Sequence, residues 1–259
     1  MVALNFVRHG AVGNPPVVLL HGLFGSARNW GSVARRLADN HDVIVPDLRN
    51  HGDSPHHPTH AYQDMVDDTV ALLDTLDIES ASMVGHSMGG KVAMLMALRH
   101  PQRVRRLAVV DIAPVTYGHD FDAVFAAMRS VDLAHVRNRA EADQQMRHED
   151  VGDGVRAFLL QNLVSENGTW RWRLNLDGLE QAQEAVTGFP ATAPDLAYRG
   201  VSHFIYGALS DYVQDAFMGR IRQLFPAARM CPVADAGHWV YAEQPQAFTR
   251  CLDEFLDAE

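Results

Sequence analysis

The chain has 259 residues, of which 47% are hydrophobic and 21% charged, and its formal net charge is −10. This length and composition suit one α/β domain with a substantial core and argue against disorder. The negative charge argues against nucleic acid or an anionic membrane surface as the main partner, because both favour a basic protein face.

The N-terminal stretch MVALNFVRHG lacks the charged and apolar regions of a secretory signal. No apolar run reaches the roughly 18 residues of a membrane span, so we expect no stable membrane insertion. The only cysteines are Cys231 and Cys251, and neither they nor the fourteen histidines show metal-ligand spacing. We therefore expect two reduced thiols, a cytoplasmic location, no metal and no cofactor.

Short apolar runs alternate with helical patterns over most of the chain. The runs that predict buried strands are 15–22, 42–47, 81–87, 104–111, 201–207 and 228–235. The helical patterns cover 28–39, 61–77, 88–100, 212–224 and 245–257. Short, fully apolar strands separated by helices indicate a parallel sheet covered on both faces. The sequence therefore predicts an α/β fold with a mostly parallel central sheet.

The alternation breaks between about 114 and 195, where helical patterns dominate and buried strand runs are lacking. We interpret 114–195 as an α-helical cap inserted into a core domain made of 1–113 and 196–259. Apolar residues of this insertion are candidates for a substrate pocket, although packing of the cap explains their helical spacing equally well. These candidates are Phe121, Val124, Phe125, Met128, Phe158 and Leu159.

The stretch VGHSMGGK, residues 84–91, fits the pattern G-x-S-x-G between a predicted strand and a predicted helix. Gly85 and Gly89 would let the two backbones approach closely, which leaves Ser87 exposed at the end of the strand. The N–H of Met88 would be an unpaired donor at the start of the helix. We therefore predict that Ser87 is a nucleophile, that Met88 is an oxyanion donor, and that Lys91 is an ordinary polar residue.

A nucleophilic serine needs a base and a second oxyanion donor. His238, in VADAGHWVYAEQP, follows the last predicted strand and is the favoured base. In LLHGLFGS, Gly22 lets the backbone turn, so the N–H of Leu23 is the favoured second donor, with Phe24 as the alternative. His21 is interpreted as a structural hydrogen-bonding residue of this loop.

The acid that orients the base has two candidates. Asp111 directly follows the strand next to the one that ends at Ser87, and it closes an apolar run. Asp211 follows the next strand, but it lies one residue beyond the usual position, which Ser210 occupies. We favour Asp111 and keep Asp211 as the alternative. Asp47 and Asp53, in DLRNHGDS, are interpreted as structural turn residues.

The motifs HGLFGS, DLRNHGDS, VGHSMGGK, VVDIAP and AGHWVYAEQP occur in this order along the chain. Together they resemble the α/β-hydrolase superfamily, and most of all its small esterase and thioesterase branch of bacterial acyl-CoA esterases with a mitochondrial relative. The resemblance covers nearly the whole chain outside the predicted cap. It implies a serine esterase with a helical cap, whose acid matches Asp111.

We expect hydrolysis of carboxylic esters, or of thioesters, with small to medium acyl chains. The acidic chain offers no attraction to an anionic coenzyme A head group, which favours a neutral ester. Phe24, Tyr212 and Trp239 are further candidates for contact with the substrate. A perhydrolase or haloperoxidase-like activity, a carbon–carbon bond hydrolase and a receptor without turnover are the alternatives. The oligomeric state is left open.

Overall fold

The computed structural model describes residues 1–118, 120–193 and 195–258. Nine strands are present in these residues: β1 Phe6–His9, β2 Pro16–Leu20, β3 Asp42–Pro46, β4 Ala81–His86, β5 Val104–Val110, β6 Leu163–Glu166, β7 Thr169–Trp172, β8 Ser202–Gly207 and β9 Ala228–Val233. Seven of them form one sheet in the order β1-β3-β2-β4-β5-β8-β9. Within this seven-stranded sheet of the described residues, only β1 pairs antiparallel with its neighbour, so the prediction of a mostly parallel sheet is confirmed.

Eleven α-helices accompany the strands in the described parts of the chain: α1 Gly31–Leu37, α2 Tyr62–Thr75, α3 Met88–Arg99, α4 Asp122–Arg129, α5 Arg139–Met146, α6 Asp153–Leu159, α7 Leu176–Gln181, α8 Gln183–Thr187, α9 Asp215–Leu224, α10 Val240–Glu243 and α11 Pro245–Asp257. None of them is both long and apolar enough to cross a membrane.

The sheet is buried on both faces. Along β2, Val18 and Leu20 join the core that contains α2, α3 and α9, whereas Val17 and Leu19 join the core that contains α1 and α11. This division follows from the alternation of side chains along a strand. Full burial of one such side chain contributes about 1.5–3 kcal/mol. The apolar strand runs of the sequence therefore reflect a sheet covered by helices on each side.

The segment between β5 and β8 contains α4 to α8 and also the antiparallel hairpin of β6 and β7. The insertion is therefore mostly helical, and the hairpin is a feature that the prediction of an α-helical cap did not include. Asn167 and Gly168 form the hairpin turn with φ angles of +51° and +81°. Asn-Gly is the residue pair that such tight turns favour. That pair was the sequence signal for a hairpin, and the surrounding helical patterns obscured it.

Cys231 of β9 and Cys251 of α11 form a disulfide across a Cα–Cα distance of 6.4 Å. The prediction of two reduced thiols is therefore wrong. Twenty residues separate the two cysteines in the chain, and only the packing of α11 beside β9 brings them together. Since a cytoplasmic location was inferred partly from reduced thiols, the disulfide removes that support, and the location stays a prediction.

Candidate active site

Neighbouring strands deliver the predicted nucleophile and the favoured acid to one edge of the sheet. His86, the last residue of β4, pairs with Val110, the last residue of β5. Ser87 and Asp111 directly follow these two residues, and the Ser87 N–H donates to the Val110 carbonyl at 3.0 Å. The parallel register of β4 and β5 therefore places Ser87 beside Asp111.

Ser87 occupies a tight turn between β4 and α3, with φ +52° and ψ −120°. Residues with side chains rarely adopt this backbone conformation, and such strain is concentrated at functional sites. A Cβ at Gly85 would lie 2.2 Å from the Gly89 carbonyl oxygen, and one at Gly89 would lie 2.5 Å from that of Leu20. The glycines are therefore a steric requirement of the turn that presents Ser87.

Asp111 and His238 form a hydrogen-bonded pair, with 2.7 Å between Asp111 Oδ2 and His238 Nδ1. Asp111 is fully buried. Its carboxylate also accepts from the Gly207 N–H at 3.0 Å and from the Ser210 hydroxyl at 2.5 Å. The carboxylate thus fixes the orientation of the imidazole and leaves Nε2, the other ring nitrogen, for chemistry.

Asp211, the alternative acid, is exposed and accepts from the Gln214 side chain at 3.4 Å. The residue before it, Ser210, occupies the usual acid position and donates to Asp111 instead. The structure therefore brings Asp111, and not Asp211, to His238.

The loop that carries His238 is held by hydrogen bonds of the residues immediately before and after it. The Gly237 N–H and the Trp239 N–H both donate to the carboxylate of Glu243, at 2.6 and 3.0 Å. His86 Nε2 lies 2.9 Å from the backbone carbonyl oxygen of His238. The centroids of the two imidazole rings are 4.6 Å apart. No sequence pattern marks Glu243 for this role, because its contacts depend on how the loop folds back.

Burial, followed by the nearby His238, holds the pKa of His86 well below its usual range. His86 is therefore neutral near pH 7 and can donate from Nε2 to the carbonyl. A neutral neighbour does not repel the positive charge that His238 would acquire as a base.

Leu23 and Phe24 differ in whether the backbone N–H already has a hydrogen-bond acceptor. The Phe24 N–H donates to His51 Nε2 at 3.2 Å, so this group already has an acceptor. In the described residues, the N–H groups of Leu23 and Met88 have no hydrogen-bond acceptor. A Cβ at Gly22 would lie 3.2 Å from the Ser87 Cβ, which shows how closely this loop approaches the serine. Leu23 and Met88 are therefore the donors available to an oxyanion.

His21 and Asp47 shape the neighbouring loops. His21 Nε2 accepts from the Leu48 N–H at 2.9 Å, and Nδ1 lies 2.8 Å from the Gly22 carbonyl oxygen. Asp47 accepts from the Ala27 and Asp53 N–H groups at 2.7 and 2.9 Å. Both residues occupy the structural positions that the sequence suggested for them.

A cavity of about 190 Å³ opens beside Ser87 and His238. Most of its remaining lining is apolar or aromatic and comes from the β2 loop, the β5–β8 insertion and the segment around His238. The predicted substrate contacts among these residues are Phe24, Phe121, Val124, Phe158, Leu159, Tyr212 and Trp239.

Phe125 and Met128, also predicted to contact substrate, do not line this cavity. Both side chains are almost completely buried in the core. The ring of Phe125 packs against that of Phe24, with 5.3 Å between their centroids. Phe125 therefore supports the cavity wall from behind, and the helical spacing of both residues reflects packing of α4 in the core.

Lys91 also differs from its prediction. It is buried rather than exposed, and its ammonium donates to carbonyl groups at the end of α8. Among the residues that the structure describes, no cluster of histidine, cysteine or acidic side chains could hold a metal ion.

Comparison with known proteins identifies the family. Residues 15–245 match the family model of the alpha/beta hydrolase fold. The sn-1-specific diacylglycerol lipase ABHD11 of Mus musculus is 43% identical over 250 residues, which cover 93% of this chain and 81% of that protein. Esterase YbfF of Escherichia coli is 38% identical over 245 residues, which cover 94% of each chain.

A solved structure of similar shape is that of a marine microorganism esterase. Its TM-score is 0.94 at 35% sequence identity, and the match covers 98% of this chain and 100% of that one. The serine turn, the parallel sheet and these relatives agree. This chain belongs to the α/β-hydrolase family.

Proposed function

We propose that Ser87, His238 and Asp111 form a catalytic triad that hydrolyses carboxylic esters through an acyl-enzyme. That the protein is an ester hydrolase is supported by its similarity to proteins named as an esterase and as a diacylglycerol lipase. The observation that carries the triad is the 2.7 Å hydrogen bond between Asp111 and His238, since His238 and Ser87 line the same cavity.

In the acylation step, His238 Nε2 takes the proton of the Ser87 hydroxyl as Oγ attacks the carbonyl carbon of the ester. The negative charge that develops on the carbonyl oxygen is stabilised by the N–H groups of Leu23 and Met88. Asp111 stabilises the imidazolium that forms on His238. The tetrahedral intermediate then collapses, and His238 protonates the departing alcohol, which leaves an acyl group on Ser87.

In the deacylation step, His238 takes a proton from a water molecule, whose oxygen attacks the acyl-serine. The second intermediate uses the same two backbone donors. Its collapse returns the proton to Ser87 Oγ and releases the carboxylic acid. One water molecule is consumed in each cycle, and the serine is regenerated.

The cavity suggests the substrate class. Its volume of about 190 Å³ and its largely apolar lining suit a small to medium acyl chain of a neutral ester. Lining residues from both 1–113 and 114–195, such as Leu23 and Phe158, support an interpretation of the insertion as a cap. The net charge of −10 disfavours an anionic thioester such as an acyl-CoA.

The triad is tested by hydrolysis of p-nitrophenyl butyrate. We expect Ser87→Ala to reduce kcat by about 10⁴–10⁶-fold, because no other group replaces the nucleophile. Ser165→Ala, at an exposed serine of the β6–β7 hairpin, is the matched control and should retain full activity. Circular dichroism checks that both variants are folded. Substantial turnover by folded Ser87→Ala would overturn the proposal.

A further inference from the structure

Lys91 is the only lysine in a chain that contains 21 arginines. It lies one helical turn after Ser87, and its backbone N–H donates to the Ser87 carbonyl at 3.1 Å. Its relative exposure is 1%. Lysine is almost never buried so deeply, since removing an ammonium from water is costly unless its donors find acceptors.

The acceptors of this ammonium belong to the end of α8 and the residue that follows. Lys91 Nζ donates to the carbonyl oxygens of Val186, Thr187 and Gly188 at 3.2, 2.8 and 2.5 Å. When Lys91 is protonated, each of its three ammonium hydrogens therefore has an acceptor. No carboxylate of the described residues compensates for this burial, which lowers the pKa of Lys91 to about 7.

Two tyrosines complete the surroundings of the ammonium. Nζ lies 4.9 Å from the ring centroid of Tyr117 and 5.7 Å from that of Tyr62, within the range of cation–π attraction. The Tyr62 hydroxyl donates to the Val186 carbonyl at 2.7 Å, and the Tyr117 N–H donates to that of Thr187 at 3.1 Å. The end of α8 is therefore joined to α2, to α3 and to the segment after β5.

This junction borders the nucleophile. A small cavity of about 20 Å³ is lined by Ser87, Met88 and Lys91 of the serine turn and α3, and also by Val186 and Thr187 at the end of α8. A space of this size holds about one water molecule or a small alkyl group. The position of the α8 end thus determines how much room exists on this side of Ser87.

We propose that Lys91 is a positioning residue that holds the end of α8 against the helix carrying Ser87, and that this contact limits how far a long acyl chain can extend into the small cavity beside the nucleophile. The inference rests on the proposed ester hydrolysis at Ser87. A compact ammonium suits three convergent carbonyls, whereas the planar guanidinium of arginine does not. This geometry explains why position 91 has a lysine in a chain whose other long basic residues are all arginines.

The first test compares wild type with Lys91→Met and Lys91→Arg on p-nitrophenyl acetate and octanoate. In both variants we expect the octanoate-to-acetate ratio of kcat/KM to rise at least about tenfold, equivalent to about 1.4 kcal/mol. We expect acetate hydrolysis to change by less than about threefold. Phosphorylation of Ser87 by diethyl p-nitrophenyl phosphate should remain near the wild-type rate. An unchanged ratio in folded Lys91→Met would overturn the positioning role.

The second test needs no variant, because lysine labelled with ¹³C at Cε gives a single side-chain signal in this protein. An anchored ammonium keeps the two Hε protons inequivalent, and the signal should shift when diethyl p-nitrophenyl phosphate modifies Ser87. A motionally averaged signal that does not respond would contradict the anchor. Failure of the wild-type protein to react at Ser87 would instead contradict the proposed ester hydrolysis.

Discussion

At the scale of single residues, hydrogen bonds hold the buried carboxylate of Asp111 in place beside His238. A fully buried carboxylate is costly unless its oxygens accept hydrogen bonds. Asp111 accepts from Gly207, Ser210 and His238. Two of these donors hold the carboxylate in place independently of the imidazole, so it can stabilise positive charge on His238 without moving.

Replacement of the two candidate acids separates their roles. We expect Asp111→Asn to lower kcat for p-nitrophenyl butyrate by about 10³–10⁴-fold, because the amide cannot stabilise the imidazolium. Asp211→Asn should change kcat by less than about twofold, since this side chain is exposed and accepts a hydrogen bond from Gln214 rather than from His238. The opposite ranking, measured on folded proteins, would reverse the assignment.

The residues that the sequence could identify are those with a local signature. Ser87 was predicted from the glycines around it, and His238 from its place after the last strand. Spacing alone left Asp111 and Asp211 as competitors, because the choice depends on which carboxylate reaches the imidazole. The environment of Lys91 could not be predicted, since its acceptors lie about 95 residues away in the chain.

At the scale of elements, the loop between β9 and α10 holds His238 through a local contact. The Glu243 carboxylate accepts from the N–H groups of Gly237 and Trp239, the two neighbours of the base. A carboxylate can accept at both oxygens, whereas a glutamine amide has only one acceptor oxygen. Glu243 therefore restrains the loop without contacting the reacting atoms.

Glu243→Gln tests this restraint. We expect kcat for p-nitrophenyl butyrate to fall about tenfold with KM nearly unchanged, because the base would be oriented less well while the cavity remains intact. Glu254→Gln, at an exposed glutamate of α11, is the matched control and should leave kcat unaltered. An unchanged kcat in Glu243→Gln would show that the loop holds its position without the carboxylate.

The elements differed in how well the sequence predicted them. The buried strands of the sheet were predicted because both faces are covered and each strand is a continuous apolar run. The hairpin of β6 and β7 was missed because LVSE and TWRW mix polar and apolar residues. Such a pattern is common for a short strand pair with one solvated face, and it lacks the apolar run that marks the strands of the main sheet.

At the scale of the whole molecule, several buried histidines link stability to pH. Burial, as the largest cause, lowers the pKa values of His21, His51 and His86, and it lowers that of His60 to about 3. In the unfolded chain each would regain its ordinary pKa near 6.5. Below about pH 6.5 the unfolded state therefore binds more protons than the folded state, and stability falls as the pH falls.

His60→Gln should reduce this pH dependence. Between about pH 3 and pH 6.5, His60 contributes up to about 1.4 kcal/mol per pH unit to the slope of the unfolding free energy. Urea unfolding of wild type over this range should show stability falling toward low pH, with a shallower slope in His60→Gln. His148→Gln, at an exposed histidine, is the control. Equal slopes in all three proteins would contradict the account of His60.

The central claim is that Ser87 is a nucleophile activated by His238, and covalent labelling tests it most directly. Diethyl p-nitrophenyl phosphate should transfer one diethyl phosphate group to Ser87 and release one equivalent of p-nitrophenol. Peptide mass spectrometry would locate the group. We expect His238→Gln to slow labelling at least about a thousandfold, because the base that activates the serine is removed. Modification elsewhere, or labelling of His238→Gln at the wild-type rate, would contradict the claim.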